Sequence, residues 1–171
     1  MHILSENERT EKMSVQAVRE HLAKFGYADR ITEFTESTAT VELAAAVVGV
    51  IPARIAKTLS FKANERVILI VAAGDAKIDN RKYKDKFGAK AKMLTAEEAI
   101  DLVGHPVGGV CPFAVKDGVG VYLDESLRRF ETVFPAAGSA GSAVRLSCDE
   151  LFESSGAAEW VDVCKIPENE Q

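Results

Sequence analysis

Seven consecutive apolar residues, Val67-Ile-Leu-Ile-Val-Ala-Ala73, set the first constraint on how this chain folds. A strand with no polar face must be covered on both sides, which predicts a central place in a sheet with further elements packed above and below. The preceding segment, Ile55-Ala-Lys-Thr-Leu-Ser-Phe-Lys62, alternates instead, and Ala63-Asn-Glu-Arg66 turns between the two. Period two puts Ile55, Leu59 and Phe61 on one face with Lys57 among them, whereas Thr58 points to the other face and falls outside a site on the Lys57 side. An ammonium group among core-facing residues is costly unless its charge is paired or faces a cleft. A bulge that turns Lys57 outward, a snorkelling stem or a structural ion pair would each account for it, and so would a ligand-facing role.

The remaining elements follow from periodicity and caps. Ser14 opens a predicted helix whose apolar positions Val15, Val18, Leu22 and Phe25 share a face, and Gly26 closes it. Arg30 to Phe34 reads as a short strand, and Thr40 caps a helix from Val41 to Val48 that Gly49 ends. Pro52 suits the first position of a further turn. Asp79 caps a helix from Asn80 to Phe87, followed by a strand at 90–94. Thr95-Ala-Glu-Glu98 is a capping box that starts a helix to about Val103. Phe113 to Lys116 and Val119 to Leu123 flank Asp117-Gly118 as a hairpin. A helical turn within 124–130, strands at 132–134 and 144–146, a second capping box at Ser147-Cys-Asp-Glu150 and a strand at 160–164 complete the chain. Strands and helices intermix without a linker or repeat, which predicts one α+β domain with a mixed sheet of about seven strands.

One loop stands apart. Gly104-His-Pro-Val-Gly-Gly-Val-Cys-Pro-Phe-Ala114 carries Gly104, Gly108, Gly109 and Pro112 within nine residues. Glycine permits positive φ and bares its amide, so such a loop can aim N–H groups at a ligand oxygen; a tight turn between helix and strand explains the same residues. Cys111 and His105 suggest a thiol nucleophile, a reading with little else behind it. His105 precedes Pro106 and is expected to shape the loop entrance. A second small-residue loop, Pro135-Ala-Ala-Gly-Ser-Ala-Gly-Ser142, offers Gly138, Ser139 and Ser142 as pocket residues or as a snug turn.

Charge is unevenly spread. The net charge is −5, yet residues 77–92 hold seven Lys and Arg against two Asp. Lys77, Arg81, Lys82 and Lys84 within this patch suit a polyanionic partner, or else form a solvated helix face. Tyr83 and Phe87, four apart, are expected to pack in the core rather than stack on bases. Three cysteines without metal spacing (Cys111, Cys148, Cys164) point to a reducing cytoplasm, the latter two as core residues. No CxxC, HExxH or phosphate-loop pattern indicates a metal or organic cofactor. No apolar run nears the ~20 residues that span a bilayer, and 1–12 lack a signal-peptide core. Met13-Ser14 looks like a second possible start. Residues 1–12 are therefore expected to be a disordered extension, 13–167 the domain, and 168–171 a tail.

Taken together, Ile55-Ala-Lys-Thr-Leu-Ser-Phe61, Ala72-Ala-Gly-Asp-Ala-Lys-Ile-Asp79, Gly108-Gly-Val-Cys-Pro112 and Phe134-Pro-Ala-Ala-Gly-Ser139 appear in an order that resembles the YbaK/EbsC family of aminoacyl-tRNA deacylases. These are free-standing relatives of the bacterial prolyl-tRNA synthetase editing domain, and the resemblance runs from about Ser14 to Lys165. It implies a strongly curved mixed sheet flanked by helices, and hydrolysis of the ester joining a wrong, small amino acid to the 3′-terminal adenosine of a tRNA, with no cofactor. It also implies misacylated tRNA, with tRNA-Pro one candidate, as substrate, and an aminoacyl-tRNA synthetase as a candidate partner.

The family's strand lysine matches Lys57, which would hold the terminal nucleotide. Its Gly-x-x-x-Pro loop matches Gly108 to Pro112, which would position the carbonyl and an attacking water, or the substrate's own thiol in cysteine-specific members. Family members carry Ser or Thr where Cys111 stands, which does not suit an essential nucleophile. The chemistry is consistent: an activated ester needs orientation and oxyanion stabilisation, which Gly109, Val110 and Cys111 amides could supply. Rival readings are a non-catalytic nucleic-acid or aminoacyl-tRNA binding protein and a small-ester hydrolase.

Overall fold

The computed structural model describes residues 3–35, 40–106 and 108–167; the expected tail at 168–171 lies outside them. In chain order the elements are α1 (Glu6–Ala23), β1 (Ile31–Glu33), α2 (Val41–Val48), β2 (Ile55–Ala63), β3 (Arg66–Ala73), β4 (Lys77–Ile78) and α3 (Asn80–Phe87). Then follow α4 (Ala96–Glu98), which runs on into a π-type turn at Ala99–Val103, β5 (Gly120–Asp124), β6 (Thr132–Pro135), β7 (Ser142–Val144), β8 (Leu146–Ser147), α5 (Cys148–Ser155), β9 (Glu159–Val161) and β10 (Cys164–Lys165).

The main sheet is mixed, curled and six-stranded, in the order β8-β6-β2-β3-β5-β9. β3 lies inside it, antiparallel to β2 and parallel to β5, as an unbroken apolar strand requires. Residues 68–73 are all buried, and Val18 and Leu22 of α1 join them in the core, as do Tyr83 and Phe113. Two small sheets, β1 with β7 and β4 with β10, close the ends. Tyr83 and Phe87 are core rings 4.9 Å apart, with Phe61 5.2 Å from Tyr83, so they are unavailable for base stacking. Among the described residues no helix is long and apolar enough to cross a membrane.

Helix starts follow their caps. Thr40, Asp79, Thr95 and Ser147 each accept backbone N–H bonds at the predicted positions, and Thr95 and Ser147 form full capping boxes. Replacing the Ser147 hydroxyl leaves an orphan donor at Glu150. Ser147→Ala is expected to cost about 1 kcal/mol, seen as a lower urea midpoint with an unchanged slope.

Three expectations are corrected. Residues 6–12, expected to be disordered, form the first turns of α1, because Ser5 caps the helix at Glu8 and acidic residues occupy its first turn. The hairpin at 113–123 does not form: β5 has β3 on one edge and β9 on the other, so no edge remains for a partner. Lys116 bonds Val103 instead, and Ala114 takes φ +52°. The strands at 144–146 and 160–164 are each split, into β7/β8 around Arg145 and β9/β10 around 162–163.

Candidate active site

The site is built on an interruption in the outer edge of β2. Ile55 and Ala56 pair with Phe134 and Pro135 of β6. Proline has no N–H with which to continue a ladder, and the chain leaves the sheet after it. Pairing on this edge resumes at Ser60 and Lys62, which bond Leu94 and Lys92. Residues 57–59 between them are left open to a cavity of about 470 Å3. The cavity is lined from β2 by Lys57 and Thr58, from α2 by Thr40 and Val41, from the glycine loop by Gly108 and Val110, and from the second loop by Ser142.

Lys57 faces the same side as Leu59 and Phe61, opposite Ala72 of β3. Its Nζ donates to the carbonyls of Gly74, at 3.3 Å, and Ala76. An ammonium has three donors, so one remains for the cavity. Burial holds the Lys57 pKa below its ordinary 10.5, with Cys164 and Asp75 countering in part. Among the described residues no carboxylate bridges it, so none of them repays its cost as an ion pair.

The two loops stack on one turn of α1. A Cβ on Gly138 would lie 2.8 Å from the Ser14 carbonyl, and one on Gly109 would lie 2.5 Å from the Ser139 Cα. His105 is 1% exposed; Ser14 Oγ lies 2.6 Å from its Nδ1, and Phe113 O lies 2.6 Å from its Nε2. The Phe113 carbonyl can only accept, so Nε2 carries the proton and Ser14 Oγ donates to Nδ1. His105 thus ties the glycine loop to the helix. Burial lowers its pKa from the ordinary 6.5, against an upward pull from the Phe113 carbonyl. The folded state therefore resists a proton that the unfolded chain accepts below 6.5, and the stabilisation present above that pH is lost as pH falls toward the folded pKa. Urea midpoints are expected to drop from pH 7 to pH 5, and His105→Gln to flatten that drop.

Several candidate residues change role. Lys57, Gly108, Val110 and Ser142 line the cavity; His105, Gly109, Cys111, Pro112, Gly138 and Ser139 do not. Gly109 N–H is committed to the Pro106 carbonyl at 3.0 Å, so it is not a free oxyanion donor, whereas Val110 N–H has no acceptor among the described residues. The Cys111 thiol is fully buried and pushed up to about 12 by that burial, against a thiolate nucleophile. Ser139 Oγ accepts from Gly141, and Ser142 Oγ serves Ala137, Ser139 N and Ser139 O, so both hydroxyls staple their own loop.

Of the basic patch, Lys82 and Lys86 are held by Asp162 and Glu159. None of Lys77, Arg81, Lys82 or Lys84 reaches the cavity. Thr58 was missed. Strand alternation turns its side chain from Lys57, yet the residue lines the cavity at the open edge, while its Oγ1 is buried and without a hydrogen-bond partner among the described residues. Among the described residues no cluster of three His, Cys, Asp or Glu could hold a metal ion.

A curled mixed sheet with a lysine and a glycine loop meeting at an open strand edge defines a class of single-domain α+β proteins with a cleft at that edge. The aminoacyl-tRNA editing domain model matches residues 35–153, and the chain belongs to that family. It is 53% identical over 154 residues to the uncharacterized protein YwhH of Bacillus subtilis (strain 168), covering 90% of this chain and 98% of that one. It is 30% identical to the proline–tRNA ligase of the same strain over 55% of this chain, which is 17% of the ligase. A solved structure described as a candidate trans-editing enzyme for prolyl tRNA synthetase superposes with a TM-score of 0.81 at 28% identity, over 95% of this chain and 99% of that one.

Proposed function

We propose that the protein is a trans-acting deacylase that hydrolyses the ester between a small amino acid and the 3′-terminal adenosine of a misacylated tRNA. The observation that carries this is the meeting of Lys57 and the Gly108–Val110 backbone in one cavity at the open edge of β2. The ammonium, fixed by two carbonyls, offers its remaining donor to a phosphate or ribose oxygen of the terminal nucleotide. Val110 N–H, on a loop braced against α1, is the donor for the developing oxyanion, and a water is the attacking group. Such an ester is activated, so holding it in place accounts for much of the rate. Val41, Leu59, Met93 and Phe134 line the cavity beside several alanines, and a wall of fixed apolar groups would reject an amino acid too large for the space they leave.

The test is a panel of mischarged tRNAs, read as release of labelled amino acid. Retention of label on every pair overturns the reading; salt-sensitive binding without release would instead mark a carrier of aminoacyl-tRNA, and equal cleavage of free amino-acid esters a general esterase. A buried thiol has no part in this scheme. Cys111→Ala is expected to keep its rate within about threefold, and a loss of a hundredfold or more would restore the thiol as a participant.

A further inference from the structure

A second, larger hollow of about 840 Å3 adjoins the first. The two share Phe134 and Ala143, and α2 walls both, with Thr40, Val41 and Ala44 on the first and Val47 and Val48 on the second. Phe134 and Ala143 thus stand where the two hollows meet. Thr132 and Ser147 are register partners across β6 and β8, and one further step of that ladder sets Arg145 opposite Phe134. Arg145 is exposed and meets no carboxylate among the described residues. Arg54 stands behind the same ring, 5.2 Å from its centroid, and bonds Thr132. Arg30, which also lines the hollow, is neutralised by Glu150 at 2.8 Å, and Asp29 lines it too. Of the two guanidinium groups that line the hollow, Arg145 is therefore the one without a carboxylate among the described residues, and Phe34 lines the hollow as a second ring.

We propose that this hollow binds the single-stranded nucleotides leading into the aminoacylated adenosine, with Arg145 on a phosphate and Phe34 as a stacking platform for a base. The inference rests on the deacylase reading for which atom lies in the first cavity. A chain whose last nucleotide occupies the first cavity must leave it somewhere, and the hollow on the other side of Phe134 and Ala143 is the larger of the two and carries the exposed Arg145. Guanidinium and aromatic groups in alternation are what a flexible, unpaired strand recognises, phosphate by charge and bases by their faces. The 77–92 patch lines neither hollow, so these contacts are separate from it.

The experiment measures anisotropy of a labelled RNA hairpin with an unpaired four-nucleotide 3′ tail, uncharged, with full-length protein. Arg145→Glu, at an exposed position, is expected to weaken binding about tenfold, and Phe34→Ala by a similar factor. Lys24→Glu, the same charge change beyond α1 and outside both hollows, is expected to stay within about twofold. Trimming the tail by three nucleotides is expected to erase the difference between Arg145→Glu and wild type. In the hydrolysis arm, Arg145→Glu slows release from whole mischarged tRNA while cleavage of 3′-aminoacyl-adenosine is unchanged. Binding by Arg145→Glu within twofold of wild type, or wild-type binding indifferent to the tail, overturns the proposal. If wild type binds the tail through Arg145 but hydrolyses neither substrate, the deacylase reading fails and the groove stands.

Discussion

Lys57→Ala is expected to lower deacylation of misacylated tRNA by about a hundred- to a thousandfold while the protein stays folded. The side chain spans from β2 to the carbonyls of Gly74 and Ala76, which fixes its charge at the cavity wall before any substrate arrives. Because the position is set in advance, little reorganisation is needed when the terminal nucleotide binds, and that is why one residue carries so large a factor. Stability responds differently. Burial opposes the charge, which is why the pKa lies below its ordinary value, so removing the ammonium relieves a cost. Two carbonyls lose a donor in exchange, at about 1–3 kcal/mol for a buried acceptor and less where water reaches. The two effects oppose each other, and the melting temperature is expected to move by only a few degrees.

Lys57→Arg is expected to remain impaired, since a planar fork cannot sit between two carbonyls as a compact ammonium does. The sign of the pH effect follows from the lowered pKa. The charged form is lost as pH rises through a value below 10.5, so the rate, corrected for spontaneous hydrolysis, is expected to fall there. A folded Lys57→Ala protein with full activity would remove the residue from the mechanism.

What the chain shows in advance is what neighbours in sequence decide. Asp79, Thr95 and Ser147 announce helix starts because a cap acts on amides two or three residues away. The run at 67–73 fixes a central strand because burial on both faces leaves it no other place. Lys57 was visible for a related reason: alternation alone sets it beside Leu59 and Phe61. The rest depends on which segments become neighbours. Nothing local says that β6 parts from β2 after Pro135 or that pairing resumes only at Ser60, and without that interruption Thr58 looks like an ordinary strand residue. The failed hairpin has the same origin, since Asp117-Gly118 is a good turn whichever strands flank it, and only the sheet order shows that β5 has no free edge. Gly109 was singled out for its bare amide, but the Pro106 carbonyl already holds it.

That reassignment sets the second large effect. Gly109→Ala is expected to destabilise the protein by about 3 kcal/mol or more and to abolish turnover, although the amide it carries is not a catalytic donor. A Cβ there would lie 2.5 Å from Ser139 Cα and 2.6 Å from both the carbon and oxygen of the Gly138 carbonyl, and these are backbone atoms with no rotamer to yield. The Ser139 loop cannot retreat either. Gly138 leaves no spare room against α1, since a Cβ on it would lie 2.8–2.9 Å from backbone atoms of Ser14 and Val15, and Ser142 Oγ ties Ala137 to Ser139 behind it. The strain is passed along a stack of two loops and a helix, each in contact with the next.

Gly108→Ala separates geometry from packing. Its φ of +84° also disfavours a side chain, at about 1 kcal/mol, but the added methyl meets the Ala140 Cβ at 3.0 Å and its Cα at 3.8 Å, with Gly108 itself on the cavity lining. It is therefore expected to fold nearly as well as wild type, and Gly108→Val, with a larger group at the same position, to block turnover by occupying space the ester needs. Thermal melts with turnover of one mischarged tRNA distinguish the two positions. A stable Gly109→Ala protein would mean that the loops do not stack as described, and a fully active Gly108→Val protein would mean that the ester does not pass that residue.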